Sequence, residues 1–189
     1  EWRDDAYAAA EGADVLVIGT GGNGLSFANH AANLGAARVA VVGSAARQPV
    51  AQRVGATDFF DYRGDGWQAA LKDAFPRGFD FIIDAVGKAG SLDEVLPCIR
   101  TGGVVGIYGI DDYHSYRINP DRAPGTFTFA KYGYDEAETH QQVVDFVRLG
   151  KLGAGNWLNL DSPYPLTHIA DAFAALERRE HVKALVQLT

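Results

Sequence analysis

The sequence predicts an α/β protein with a doubly wound parallel sheet of six strands and helices on both faces. Three observations lead there. Short apolar runs alternate with helix-patterned segments along most of the 189 residues, the rhythm that parallel βα units impose. The runs are apolar almost throughout, as strands covered on both faces require. The first of them, Val15-Leu16-Val17-Ile18, passes directly into glycines spaced G-x-G-x-x-G at Gly19, Gly21 and Gly24, and a helix-like segment follows.

Taken in order, residues 5–10 favour a short helix through their alanines, and Gly12 ends it. The first strand spans about 14–18. In the next helix, 25–34, Gly24, Ala28 and Ala32 recur every four residues and form a small-residue stripe suited to close packing on the sheet. Gly35 stops it, and Arg38 to Val42 is the second strand. Pro49 sits in the first turn of a helix that runs to Val54, and 57–60 is a short third strand. A helix over 67–75, broken by Pro76 and Gly78, leads to the fourth strand, 79–84. Ser91 to Arg100 reads as a helix despite Pro97, and 104–108 is the fifth strand. The polar, aromatic and turn-rich segment 111–125 breaks the rhythm and reads as a surface loop or an excursion towards a partner or substrate. Residues 126–129 are the sixth strand, and acids in its first turn signal a helix from Asp135 to Leu149. After a Gly/Asn/Pro-rich link, Thr167 is placed to cap a last helix carrying Ile169, Ala172, Phe173 and Leu176, and 182–188 is a final strand.

Composition narrows the function classes. A net charge of −7 argues against a nucleic-acid or anionic-membrane surface. No apolar run approaches the roughly 18 residues of a membrane span. The single cysteine, Cys98, excludes an intrachain disulfide and a cysteine-rich zinc site, and fits a reducing, cytoplasmic setting. The five histidines show no metal-binding spacing, so no metal site is expected. The opening Glu1-Trp2-Arg3-Asp4-Asp5 is unlike a signal peptide and reads as the middle of a longer protein.

The glycine turn carries the chemistry. An apolar strand, a tight turn and a helix N-terminus together offer backbone N–H groups and a partial positive charge to a pyrophosphate. Gly19 permits the turn, Gly21 lets the backbone approach the phosphate, and Gly24 lets the helix lie close to the sheet. About twenty residues on, an acid normally accepts bonds from the adenosine ribose and selects NAD. Here that position is Gly43, and no Asp or Glu occurs between Gly24 and Asp58, whereas Arg38, Arg47 and Arg53 do. Ser44 and Arg47 are suited to a 2′-phosphate, which favours NADP over NAD. The competing reading makes Arg47 a solvated loop arginine and Ser44 a helix-start residue. Asp84, at a strand end, reads as an organiser of its loop in preference to a catalytic group, and no catalytic acid or base is assigned.

With VLVIGTGGNG, GSAARQPVAQRVGATDFFDY, FDFIIDAVG, TGGVVGIYG, FVRLGKL and PLTHIADAFAAL followed by HVKALVQL, the chain from about Gly12 to its end resembles the medium-chain alcohol dehydrogenase/reductase superfamily. The part matched is the Rossmann-type cofactor-binding domain. The resemblance implies a connecting segment over 1–12, an NAD(P)-binding domain over 13–165, and a helix and strand over 166–189 that pack back towards a catalytic domain. It implies hydride transfer between nicotinamide and a carbonyl or alcohol substrate, zinc only where that catalytic domain supplies it, and homodimers or homotetramers. A zinc-free quinone or enoyl reductase of the same superfamily and a non-catalytic NAD(P)-sensing module are the alternatives. Residue by residue, Gly19, Gly21 and Gly24 match the phosphate loop, with the N–H groups of Gly22 and Asn23 facing the pyrophosphate. Gly43, Ser44 and Arg47 match the ribose-selecting loop. Ala85, Val86 and Gly87 match residues beside the adenine and its ribose, with Lys88 as a polar contact. Ile107, Tyr108 and Gly109 match the strand end that meets the nicotinamide carboxamide, and Lys183 matches a basic residue reaching the pyrophosphate.

Overall fold

A computed structural model describes residues 10–112, 114–130 and 136–188. The helix expected over 5–10 falls outside the described residues except at Ala10. The chain forms two compact units, Glu1–Tyr134 and Asp135–Thr189.

The first unit holds the six-stranded sheet. Its strands are β1 (Asp14–Ile18), β2 (Arg38–Gly43), β3 (Asp58–Asp61), β4 (Phe79–Asp84), β5 (Ile99–Ile107) and β6 (Phe127–Ala130). They lie in the order β3-β2-β1-β4-β5-β6, all parallel. The order reverses between β1 and β4, so the crevice at their C-terminal ends is the natural ligand position. The helices of this unit are α1 (Gly22–Asn33), α2 (Gln48–Arg53), α3 (Trp67–Ala74) and α4 (Ser91–Val95).

Alternation along the strands divides the core. Leu16, Ile18, Ala40, Val42, Phe79, Ile82 and Val105 join Leu71, Leu92 and Leu96 in one buried cluster. On the other face α1 covers β1 and β2. The small-residue stripe departs from expectation at its end. Gly24, Leu25, Ala28, Asn29 and Ala31 are buried, whereas Ala32 is half-buried, with its Cβ against Gly55.

Two boundaries differ from the pattern reading. The helix expected over 91–100 ends at Val95, passes through a 3-10 turn over Leu96–Cys98, and gives way to β5 at Ile99. Pro97 lacks the N–H that would continue the helix. Apolar residues 95–99 look alike in either state, so periodicity alone placed the change late. Arg38 is committed at the N-terminal edge of the sheet. Its Nε and Nη2 donate to the Asp58 carboxylate at 3.2 and 2.5 Å, its Nη1 donates to Ala74 O, and its guanidinium lies 3.7 Å from the Phe75 ring centroid. It therefore has no share in a site at the opposite edge.

The second unit contains α5 (Glu136–Arg148), β7 (Tyr164–Pro165), α6 (Ile169–Glu177) and β8 (Val186–Gln187), with β7 and β8 paired in parallel. Thr167 does not cap the last helix: it lies within a 3-10 turn over Leu166–His168, and His168 is the N-cap, without a side-chain bond. Of the strand expected over 182–188, only Val186–Gln187 pairs as one, preceded by an isolated bridge from Lys183 to Leu158.

Phe79 is fully buried, and its ring centroid lies 4.3 Å from that of Phe75. Phe79→Ala should destabilise the fold by about 3–5 kcal/mol. A urea unfolding curve checks this: the midpoint should fall with the slope unchanged.

Candidate cofactor-binding site

The site is assembled at the C-terminal ends of β1, β2, β4 and β5. Gly19 follows β1 with φ +107°, a conformation that favours glycine, and its N–H donates to Val42 O at 2.8 Å. Gly21 is the N-cap of α1, and no side chain caps the helix and no acid occupies its first turn. The first intrahelical bond runs from Leu25 N to Gly21 O at 3.0 Å. The amides of Asn23 and Gly24 thus precede the ladder, at the end where the helix dipole is positive.

The three motif glycines serve different needs. A Cβ on Gly24 would run into the Gly19 carbonyl, so this glycine is what lets α1 sit against the turn. A Cβ on Gly19 would lie 2.8 Å from Val86 Cγ2, which brings the first turn against the loop after β4. A Cβ on Gly21 would meet nothing within 4 Å. Gly21 therefore answers no packing demand of the protein itself, and the open space over it suits a phosphate. Gly24→Ala should lower the thermal midpoint, by roughly 2–4 °C for each kcal/mol lost, while Gly21→Ala leaves it unchanged. Differential scanning calorimetry of the two variants distinguishes them.

At the end of β2, Gly43 and Ser44 are both buried. A Cβ on Gly43 would collide with the Thr20 side chain. Arg47 is 9% exposed at the end of a 3-10 turn over Ala45–Arg47, so it is a buried arginine and not the solvated one of the competing reading. The next strand supplies neighbours that motif reading passed over. Gly43 is the register partner of Asp61, and Tyr62 N donates to Gly43 O at 3.2 Å. Arg63 follows, exposed, with its Nε donating to the Tyr62 hydroxyl at 3.1 Å.

The other half of the crevice is organised by Asp84, the last residue of β4, which is fully buried. Its Oδ1 accepts from Val86 N and Gly87 N, both at 2.9 Å. Its Oδ2 accepts from Ser91 Oγ at 2.9 Å and from the Tyr116 hydroxyl at 2.6 Å. Its main-chain oxygen accepts from Tyr108 N and Gly109 N at 2.9 and 3.0 Å. The loop-organising reading of Asp84 is what this geometry shows. The loops after β4 and β5 also touch directly, because a Cβ on Gly87 would strike the Gly109 carbonyl and one on Gly109 would strike the Val86–Gly87 peptide. Tyr108 stands partly exposed, edge-on to Phe27 of α1 with ring centroids 5.1 Å apart. Ala85 is half-buried and Ile107 and Lys88 are exposed at the same edge.

Sixteen residues were expected to bind cofactor, and fifteen of them, Gly19 to Gly109, gather at this one edge of the first unit. Lys183 belongs to the second unit, where it is exposed and its N–H donates to Trp157 O at 2.9 Å. Sequence reading missed Thr20, Tyr62, Arg63 and Tyr116. Thr20 had a local signal, since the residue between the first two motif glycines must lie beside the end of the neighbouring strand. Tyr116 had none, because its contact spans 32 positions.

Burial, followed by the hydrogen bond to Asp84 and that carboxylate's charge, pushes the Tyr116 phenol well above its ordinary value. A raised folded-state value means that the unfolded chain ionises first, at about pH 10. The stability from this bond is then complete below about pH 10 and is lost as pH rises through the folded value. Wild type should exceed Tyr116→Phe in urea midpoint at about pH 8, and the gap should narrow above about pH 10.

A strand–glycine turn–helix at the switch point of a parallel sheet defines a dinucleotide-binding fold. Residues 19–125 match the family described as zinc-binding dehydrogenase, and the chain belongs to that family. D-arabinitol dehydrogenase 1 of Uromyces fabae is 32% identical over 107 residues, which are 53% of this chain and 30% of that protein. Geraniol dehydrogenase of Castellaniella defragrans is 28% identical over 93% of this chain and 48% of its own length. The chain spans about half or less of the curated relatives it matches. Among solved structures, benzyl alcohol dehydrogenase from Acinetobacter calcoaceticus superposes with a TM-score of 0.83 at 17% identity, over 98% of this chain and 52% of that one. For 2R,3R-butanediol dehydrogenase from Bacillus subtilis the TM-score is 0.80 at 22% identity, over 95% and 52%. These two likenesses show the shared fold. Membership implies a nicotinamide cofactor. Among the described residues no three His, Cys, Asp or Glu side chains are grouped to hold a metal ion. Among the described residues no helix is long and apolar enough to cross a membrane.

Proposed function

We propose that this chain is the cofactor-holding part of an NADP-dependent oxidoreductase that interconverts an alcohol and a carbonyl compound. The observation that carries the reading is the cradle at the start of α1, with open space over Gly21 beside helix amides that precede the intrahelical ladder. In this reading those amides and the N–H of Gly22 hold the pyrophosphate, the Ile107–Gly109 strand end meets the carboxamide, and Ala85–Gly87 flank the adenosine side, with Lys88 beside them. Lys183 is assigned a pyrophosphate contact by resemblance. The bound nicotinamide supplies the hydride acceptor or donor, and the chain's own part is to orient it and exclude water.

The NADP preference is supported by the absence of any acid at Gly43 and by the cations nearby. Ser44 and Arg47 stand in the matching loop. Arg63, next in the chain to the Tyr62 whose N–H bonds to Gly43, is exposed, and its polar side-chain contact among the described residues is the neutral Tyr62 hydroxyl. Its charge is thus available to a 2′-phosphate. The alcohol or carbonyl substrate class is inferred from the names of the relatives, several of which act on alcohols. A homodimer or homotetramer is also proposed, since β6 forms an outer edge of the sheet and Phe129 on it is partly exposed. The buried free thiol of Cys98 fits a reducing, cytoplasmic setting.

Fluorescence titration of this chain with NADPH and with NADH tests the reading. NADPH should bind about tenfold more tightly, and Arg63→Gln should weaken NADPH while leaving NADH unchanged, which brings the two affinities together. Equal affinities in the wild type would remove the NADP assignment, and binding of neither would remove the cofactor reading. Gly21→Val should weaken both dinucleotides without unfolding the protein.

A further inference from the structure

The segment 111–125, read as a surface loop or an excursion towards a partner or substrate, is a surface loop, with its described residues mostly exposed, and it is fastened to the loop after β4. Asp111 N donates to Val86 O at 3.2 Å and Asp112 N to Gly87 O at 2.9 Å. Ala89 N donates to the Asp112 carboxylate at 2.8 Å, and Asn119 N to the Asp93 carboxylate at 2.8 Å. Between these contacts the Tyr116 hydroxyl reaches Asp84 Oδ2 at 2.6 Å, while its ring, with Ile118 and Ala123, packs on the buried cluster. The same carboxylate holds the amides of Val86 and Gly87 through its other oxygen. A distant segment is therefore wired to the two loops that enclose one half of the crevice.

We propose that Tyr116 is a positioning residue for cofactor binding, acting through Asp84 to fix the Ala85–Gly87 and Ile107–Gly109 loops; the inference rests on the dinucleotide reading above. A buried carboxylate keeps one orientation only while its lone pairs are occupied. Without the phenol, Oδ2 retains Ser91 alone, the carboxylate is freed to rotate towards water, and the Val86 and Gly87 amides lose their fixed acceptor. Tyr116→Phe keeps the ring and its packing, so the hydroxyl is what the variant removes.

Two measurements on the intact chain decide the matter. In native-state hydrogen exchange, Tyr116→Phe should speed exchange at Val86 and Gly87 about tenfold more than at the Leu16 and Val41 amides of the central strands, which report only the global loss seen in the urea midpoint. In fluorescence titration, the same variant should bind NADPH about tenfold more weakly. Asp112→Ala, which cuts the Ala89 contact of the same segment, should move both readouts in the same direction and serves should Tyr116→Phe fail to fold. Acceleration shared equally by all four amides would show a general loss of stability and overturn the proposal, as would unchanged exchange at Val86 and Gly87. Wild-type binding with unaltered affinity in both variants overturns the inference and leaves the dinucleotide reading standing. A wild-type chain that binds neither dinucleotide overturns both.

Discussion

The crevice depends on one buried carboxylate. Asp84 has no exposure to solvent and sits at the end of a central strand, where an uncompensated charge would be prohibitively costly. It is tolerated because four donors converge on its two oxygens, two of them main-chain amides of its own loop. Its carbonyl meanwhile holds the two amides that end the neighbouring strand. A single residue thus dictates where the loops after β4 and β5 lie, and the two loops have little freedom of their own. An apolar residue of similar size at this position would keep the strand but leave two amides and the Tyr116 hydroxyl without their acceptor, the Ser91 hydroxyl keeping the Lys88 carbonyl.

Glycines complete what the carboxylate begins. Gly24 meets the Gly19 carbonyl, Gly19 meets Val86, and Gly87 meets Gly109, each with no room for a Cβ. The turns after β1, β4 and β5 therefore stand in a row of close contacts, made by main chain between Gly24 and Gly19 and between Gly87 and Gly109, and by the Val86 side chain at Gly19. These joins give a closely packed floor to the crevice, next to the amides at the start of α1 that precede the intrahelical ladder. That surface suits a ligand recognised by its phosphates and its carboxamide more than one recognised by a shaped apolar pocket.

How much of this was legible follows from the range of each interaction. All six strands and the order of elements could be read from the alternation of apolar runs and helix-patterned segments, because the signal is repeated within each short window. The glycine turn between β1 and α1 was legible for the same reason: three glycines, a strand and a helix fall within a dozen residues. Boundaries failed where two states share a composition. The apolar residues around Pro97 suit a helix end and a strand start equally, and Thr167 looked like a cap although the chain inserts a 3-10 turn before α6. The surface loop over 111–125 was legible from its polarity, but its partners were not. Asp112, Tyr116 and Asn119 satisfy groups at Ala89, Asp84 and Asp93, more than twenty positions away.

The glycine after β2 shows why a missing acid is weaker evidence of cofactor choice than the motif suggests. Gly43 lies against Thr20, and any side chain there, acidic or not, would displace the threonine. Packing alone requires the glycine, so its presence removes a repulsion towards a 2′-phosphate without supplying an attraction. An attraction needs a cation that can reach solvent-side phosphate oxygens. Arg47, which the motif points to, is buried, and Arg63, which lies outside the motif, is exposed beside a strand whose register brings Asp61 against Gly43. The proposed NADP preference therefore rests on a cation at the end of β3 in place of one in the loop after β2, and a main-chain bond from Tyr62 to Gly43 keeps the two strand ends together.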